Sequence, residues 1–158
     1  MLIVIFGPSC SGKSTAATEL ARRLSCEVYA GKDYLRLAGS EPAAWKTFDG
    51  MLRKAAGDQE RHLVYVVTGR SPAMEVPGAF RVRFTAGIEL LVERFARRNQ
   101  PGAVPGLRSM LERQASLCAA LPAEMVFDTS GPADPRENAG AILSAAGIRP
   151  NTAPEAGL

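Results

Sequence analysis

The chain has 158 residues, 46% hydrophobic and 22% charged, with a formal net charge of +3. That length suits one domain with a real core, and no apolar run approaches the ~20 residues of a membrane span. The three cysteines, Cys10, Cys26 and Cys118, are odd in number and lack metal-ligand spacing, which argues against a disulfide framework or zinc site and for a cytoplasmic location.

The first element, Leu2–Phe6, is a β-branched run of the kind that fills a buried parallel strand. It is too short, and lacks the basic leader, for a signal peptide. One residue later comes Gly7-Pro8-Ser9-Cys10-Ser11-Gly12-Lys13-Ser14-Thr15, a complete G-x-x-x-x-G-K-[ST] phosphate-binding loop. Gly7 and Gly12 permit backbone angles and close approaches that a Cβ would forbid. The amides of Ser9, Cys10, Ser11 and Gly12 can then turn inward as an anion nest. Lys13 would reach the β- and γ-phosphates, and the Ser14 hydroxyl would ligate the Mg²⁺ that bridges them. The helix carrying Thr15 aims its positive end at the same place. ATP and Mg²⁺ are the expected cofactors, since a glycine-rich turn that binds nothing leaves Lys-Ser-Thr unexplained. Cys10 reads either as a small filler or as a thiol that the nearby amides and Lys13 favour as thiolate.

Lys13–Leu24 places Ala16, Ala17, Leu20, Ala21 and Leu24 at helical spacing. Glu27–Ala30 reads as a second strand, with Gly31-Lys32-Asp33 as the turn where acceptor chemistry is expected. Residues 34–37 open a helix, 39–42 break it, and 43–56 are helical with Trp45, Phe48, Met51 and Leu52 on one side, a stripe read as packing. His62, the lone histidine, reads as surface or structural. Leu63–Val67 is a buried strand ending at Thr68-Gly69-Arg70, where Thr68 and Arg70 could touch an acceptor.

Residues 72–78 are a loop, 80–84 a strand, and 89–98 a strongly periodic helix. Residues 99–106 hold two prolines and two glycines and form an irregular excursion. A helix over 107–121, a strand over 124–127, a turn over 128–134 and a helix over 135–146 complete one domain spanning residues 1–146. Residues 147–158 are expected to fray. The alternation predicts an α/β fold, a three-layer doubly wound parallel sheet of about five strands with helices on both faces. Ligands in such sheets lie beyond the C-terminal strand ends, the edge to which the phosphate loop, Asp33, residues 68–70 and residues 128–132 belong.

Several segments together resemble the nucleoside monophosphate kinases, the adenylate kinase-like family in particular. Gly31-Lys32-Asp33-Tyr34-Leu35-Arg36-Leu37-Ala38 is similar to that family's T-G-D-x-L-R-x-A segment, in which the arginine holds the acceptor's phosphate, so the resemblance implies that role for Arg36. Glu89 through Arg98 resembles the E-L-x-x-x-R-x-x-x-R helix leading into the lid, whose arginines bracket the transferring phosphoryl group and match Arg94 and Arg98. The segment from Leu107 to Arg113 resembles the returning helix, with Arg108 at the position of a further phosphate-binding arginine. Asp128-Thr129-Ser130-Gly131-Pro132 looks like the turn that packs on the donor's adenine. The resemblance covers residues 1–146 in order. It departs from the family at the third strand, which ends in Thr68-Gly69-Arg70 rather than an acidic residue that orders the Mg²⁺ water shell. Either Asp33 takes over metal organisation or the metal rests on Ser14 alone.

The resemblance implies transfer of the γ-phosphoryl of ATP to a nucleoside monophosphate. The residues leave two other readings open. Asp33-Tyr34-Leu35-Arg36 also looks like the D-x-x-R of polynucleotide 5′-kinases, so a hydroxyl acceptor with Asp33 as base is a second reading, and a non-catalytic ATP-binding switch a third. Without an aromatic-rich basic groove, a nucleic-acid partner is disfavoured though not excluded. A small-molecule acceptor, no membrane, and a monomer or homodimer are expected.

Overall fold

The computed structural model describes residues 1–99 and 104–149. Strand β1 (Leu2–Phe6) is buried along its whole length, and so is β3 (Leu63–Val67). Both faces of such strands meet apolar neighbours, which is why they read as unbroken hydrophobic runs. They pair in parallel from Leu2 opposite Leu63 to Phe6 opposite Val67. The shorter β2 (Glu27–Ala30) adds outside β3, and β4 (Phe80–Thr85) and β5 (Met125–Asp128) add outside β1. The five-stranded sheet therefore runs β2-β3-β1-β4-β5; it is all parallel, as the sequence pattern predicts, and the structure adds the strand order.

Side chains alternate across β1. Ile3 and Ile5 point to a layer formed by α1 (Lys13–Leu24) and α5 (Pro135–Ala145), through Ala16, Ala17, Leu20, Ala139 and Ile142. Leu2, Val4 and Phe6 point to the opposite layer, where α2 (Glu41–Gly57) supplies Ala44, Phe48 and Leu52. Fully burying a side chain the size of Phe48 contributes roughly 1.5–3 kcal/mol. Its ring lies 4.8 Å from that of Tyr29, 5.6 Å from Tyr34 and 4.9 Å from Tyr65, so the aromatic stripe of α2 is packing. α3 (Ile88–Asn99) and α4 (Leu107–Ala119) close on each other around Leu91 and Leu111, both fully buried.

The structure moves several boundaries. Residues 39–42 do not simply break a helix: Ser40 Oγ accepts the Ala43 amide at 3.4 Å and Pro42 sits in the first turn, so they start α2. The short segment before them is a 3₁₀ turn, Asp33–Leu37. The loop expected at 72–78 contains another 3₁₀ turn, Pro72–Glu75, capped by Ser71. The helix predicted to reach residue 121 stops at Ala119. Half of the excursion at 99–106, residues 100–103, and most of the tail at 147–158 lie outside the described residues.

Candidate active site

The phosphate loop occupies the C-terminal end of the central strand. Gly7 has φ +155°, and a Cβ built there would lie 2.2 Å from the Phe84 carbonyl oxygen, so only glycine lets β1 pass β4 at that point. Cys10 (φ 64°) and Gly12 (φ 97°) are both left-handed, which turns neighbouring amides to one side. The carbonyls displaced by that turn need donors, because a buried orphan costs about 1–3 kcal/mol. The Pro8 oxygen accepts from Ser11 Oγ at 2.8 Å and from Lys13 Nζ at 2.6 Å. The Cys10 oxygen accepts from the Arg94 guanidinium at 3.3 Å, and the Ser11 oxygen from Thr129 Oγ1 at 2.9 Å. Gln114 of α4 accepts the Ser9 amide at 2.9 Å.

These bonds join three segments distant in sequence. Arg94 also donates to the Thr129 carbonyl at 2.7 Å and to Thr129 Oγ1 at 3.1 Å, tying α3 to the loop after β5. Cys118, one turn beyond Gln114, donates its thiol to the Thr68 carbonyl at 3.2 Å at the end of β3. Neither Gln114 nor the tethering role of Thr129 is legible from the sequence, since nothing local marks which helix face meets the loop.

A cavity of about 480 Å³ opens over the loop, lined there by Ser9, Cys10, Gly12, Lys13, Ser14 and Thr15. Arg94 and Arg98, one turn apart on α3 and so on one face, border it, as does Thr68. Where β2 and β3 end, the lining is Ala30, Gly31, Val66 and Val67. Lys13, Arg94 and Arg98 are its charged residues, and among the described residues no carboxylate lines it.

Burial pushes the Lys13 ammonium down to about 8. A lysine lowered in this way is charged below that value and neutral above it. The affinity for a phosphate-bearing ligand, inorganic phosphate or a nucleotide, is therefore expected to fall on the order of tenfold between pH 7.5 and 9. Calorimetry across that range checks it, with Lys13→Arg expected to flatten the profile; an equal fall in that variant would assign the effect elsewhere.

Other predicted residues lie elsewhere. Asp33 Oδ2 accepts the Ala30 amide at 2.9 Å, which holds the turn after β2, and its side chain is exposed beside the cavity rather than lining it. Tyr65 braces the same turn through its hydroxyl on the Gly31 carbonyl at 2.8 Å. The Arg36 guanidinium lies over the Tyr29 ring, 4.5 Å from its centroid. Arg70 pairs with Glu75 at 2.8 Å, and Arg108 pairs with Glu89 and Glu112 between α3 and α4. Pro132 is exposed, and Ala133, Pro135 and Asn138 are the cavity residues of that connection. His62 has a buried Nδ1 with no partner among the described residues, and burial lowers its pKa.

The parallel 2-3-1-4-5 sheet with a phosphate loop after its central strand is a P-loop kinase-like fold. Comparison with solved structures agrees. A sugar kinase from Janibacter sp. HTCC2649 superposes with a TM-score of 0.60 at 17% identity over 94% of this chain and 95% of that one. Shikimate kinase from Acinetobacter baumannii, in complex with shikimate, gives 0.60 at 20% identity over 90% of each chain. YorR from Bacillus subtilis, in complex with phosphorylated GDP, gives 0.63 at 17% over 91% and 94%. No protein-family profile and no curated protein matches the sequence. The likeness is thus one of fold, to P-loop small-molecule kinases, and does not single out the nucleoside monophosphate kinases among them. No helix among the described residues is long and apolar enough to cross a membrane.

Proposed function

We propose that the protein transfers the γ-phosphoryl group of ATP to a small acceptor bearing a phosphate, a nucleoside monophosphate being the acceptor class favoured. The observation that carries this is the cavity lining: Lys13, Arg94 and Arg98 converge over the phosphate loop without a carboxylate among the described residues. Such a site suits two anionic ligands meeting end to end. Phosphoryl transfer asks the protein chiefly to position the reactants and neutralise charge on the transferring oxygens.

The loop's build fits a triphosphate. The left-handed Cys10 and Gly12 bend the loop, and the Cys10 and Ser11 carbonyls are paired with Arg94 and Thr129. Lys13 binds the terminal phosphates, and Arg98 sits where charge spreads during transfer. Arg94 also holds the loop in shape. Ser14, which lines the cavity, is the residue that would hold Mg²⁺, whose charge would offset that of the phosphates. An acceptor phosphate oxygen is already ionised, so no general base is required.

A hydroxyl acceptor is the second reading, favoured by the position of Asp33 on the turn at the end of β2. That chemistry wants a carboxylate to take the proton. Asp33→Asn keeps an oxygen for the Ala30 amide and separates the readings. With a hydroxyl acceptor, kcat is expected to fall on the order of 10²-fold or more; with a phosphate acceptor it is expected to stay within about twofold. The assay is ATP consumption with Mg²⁺ over a panel of nucleoside monophosphates, nucleosides and small hydroxyl metabolites. No turnover with any of them would leave only the binding-switch reading.

A further inference from the structure

A divalent cation beside a phosphate asks for hard oxygen ligands, and Mg²⁺ commonly reaches a protein through a carboxylate or two while keeping several waters. This cavity offers it neutral hydroxyls. Ser14 and Thr68 line it, no carboxylate does so among the described residues, and its charged side chains are the cations Lys13, Arg94 and Arg98. The carbonyls nearby are engaged. Those of Pro8, Cys10 and Ser11 accept from Lys13, Arg94 and Thr129, and that of Thr68 accepts the Cys118 thiol at 3.2 Å.

The carboxylates around the site are engaged as well. Asp33, Asp128 and Asp134 each accept a backbone amide of their own turn, at 2.9, 2.9 and 2.8 Å. Asp134 and Glu19 line a second cavity that shares Ser14 and Thr15 with the first, and there Glu19 is held by Arg22 and Arg23 at 2.8 and 2.9 Å. Anionic charge on a ligand is therefore met by fixed cations of the chain.

We propose that the site binds a nucleotide free of metal at least as tightly as its Mg²⁺ complex, the ion arriving on the phosphates rather than on a ligand set of the protein's own. This inference rests on the nucleotide-binding reading above and concerns binding, not transfer. A divalent ion on the phosphates cancels part of their negative charge, which weakens their attraction to Lys13, Arg94 and Arg98 in a partly desolvated site. A carboxylate beside the ion would regain that loss, and the lining supplies only hydroxyls in its place. Thr68 follows β3 directly, beside the end of β1 that carries the loop. One acidic side chain there would supply the contact.

The test is calorimetric titration of the full chain at about pH 7, where Lys13 is charged, with a non-hydrolysable ATP analogue in chelator and again in excess Mg²⁺. The free analogue is expected to bind equally well or up to about tenfold more tightly. Thr68→Asp should reverse the order and put the Mg²⁺ complex ahead by on the order of tenfold, with circular dichroism melts confirming that the variant folds. Asp33→Asn and Asp134→Asn keep an oxygen for the amides they accept and should leave the ratio within about twofold. Tightening of the unsubstituted protein's binding by Mg²⁺ of about threefold or more would overturn the inference. So would an unchanged ratio in folded Thr68→Asp, or a ratio shifted by either asparagine variant, which would assign the ion to that carboxylate. In each of these cases the nucleotide-binding reading stands, whereas binding of neither form would end both.

Discussion

Lys13→Ala is expected to reduce phosphoryl transfer on the order of 10³-fold and to weaken nucleotide binding, while leaving the protein folded. Lys13 is buried at the head of α1, and its ammonium donates to the Pro8 carbonyl of the same loop. A cation held there, in low dielectric and aimed at the terminal phosphates, contributes more than the same charge in water. Removing one such group from a preorganised anion site costs roughly 10²–10³-fold in other enzymes. Here the lysine serves both binding and transfer, which places the expectation at the upper end. The variant also relieves burial of a charged group, so its melting temperature should hold or rise. The check is turnover of whichever acceptor the panel identifies, together with nucleotide titration; a variant that phosphorylates that acceptor at the unsubstituted rate would sink the kinase proposal.

Gly7→Ala should act on the fold itself. The new Cβ would lie 2.2 Å from the Phe84 carbonyl oxygen and 3.0 Å from Ser11 Oγ, at a backbone angle that favours glycine. The obstacle is backbone, not a flexible side-chain tip. Phe84 is nearly fully buried, with its ring stacked 5.1 Å from that of Phe127. Relief would therefore require β1 and β4 to separate at the end that carries the loop. A cost of about 3 kcal/mol or more follows from overpacking and backbone strain together, which is a fall of roughly 10 °C in melting temperature for a chain of this size. Thermal unfolding followed by circular dichroism measures it, with Gly39→Ala as the reference because nothing lies within 4 Å of that position. A melting temperature for Gly7→Ala within about 2 °C of the unsubstituted protein would show that the strands yield cheaply there.

The two arginine pairs show how far local reading reaches. Arg94 and Arg98 are four residues apart on a helix, so any fold that turns one toward the sheet edge brings the other along, and both border the cavity. Arg97 falls on another face and pairs with Glu93 at the surface. Arg36 and Arg108 gave no such periodic clue. The motif likeness that singled them out says nothing about Tyr29 beneath one guanidinium or Glu89 and Glu112 beside the other. Residues 39–42 misled for a related reason: proline and glycine mark an interruption, and only the Ser40 cap tells whether a helix is ending or beginning.

By itself the sequence determined the phosphate loop, the succession of strands and helices along the chain, and the parallel sheet, because each rests on short-range physics: glycine's backbone freedom, β-branched runs buried on both faces, and helical spacing of apolar residues. What only the tertiary structure decided is the ring of partners around that loop. Arg94, Gln114 and Thr129 come from a helix, another helix and a strand end far apart in the chain. They meet because the loop's buried polar groups must each find a partner, Arg94 and Thr129 donating to its carbonyls and Gln114 accepting the Ser9 amide, and only the packing of the helices and the β5 end around the central strand brings those partners near.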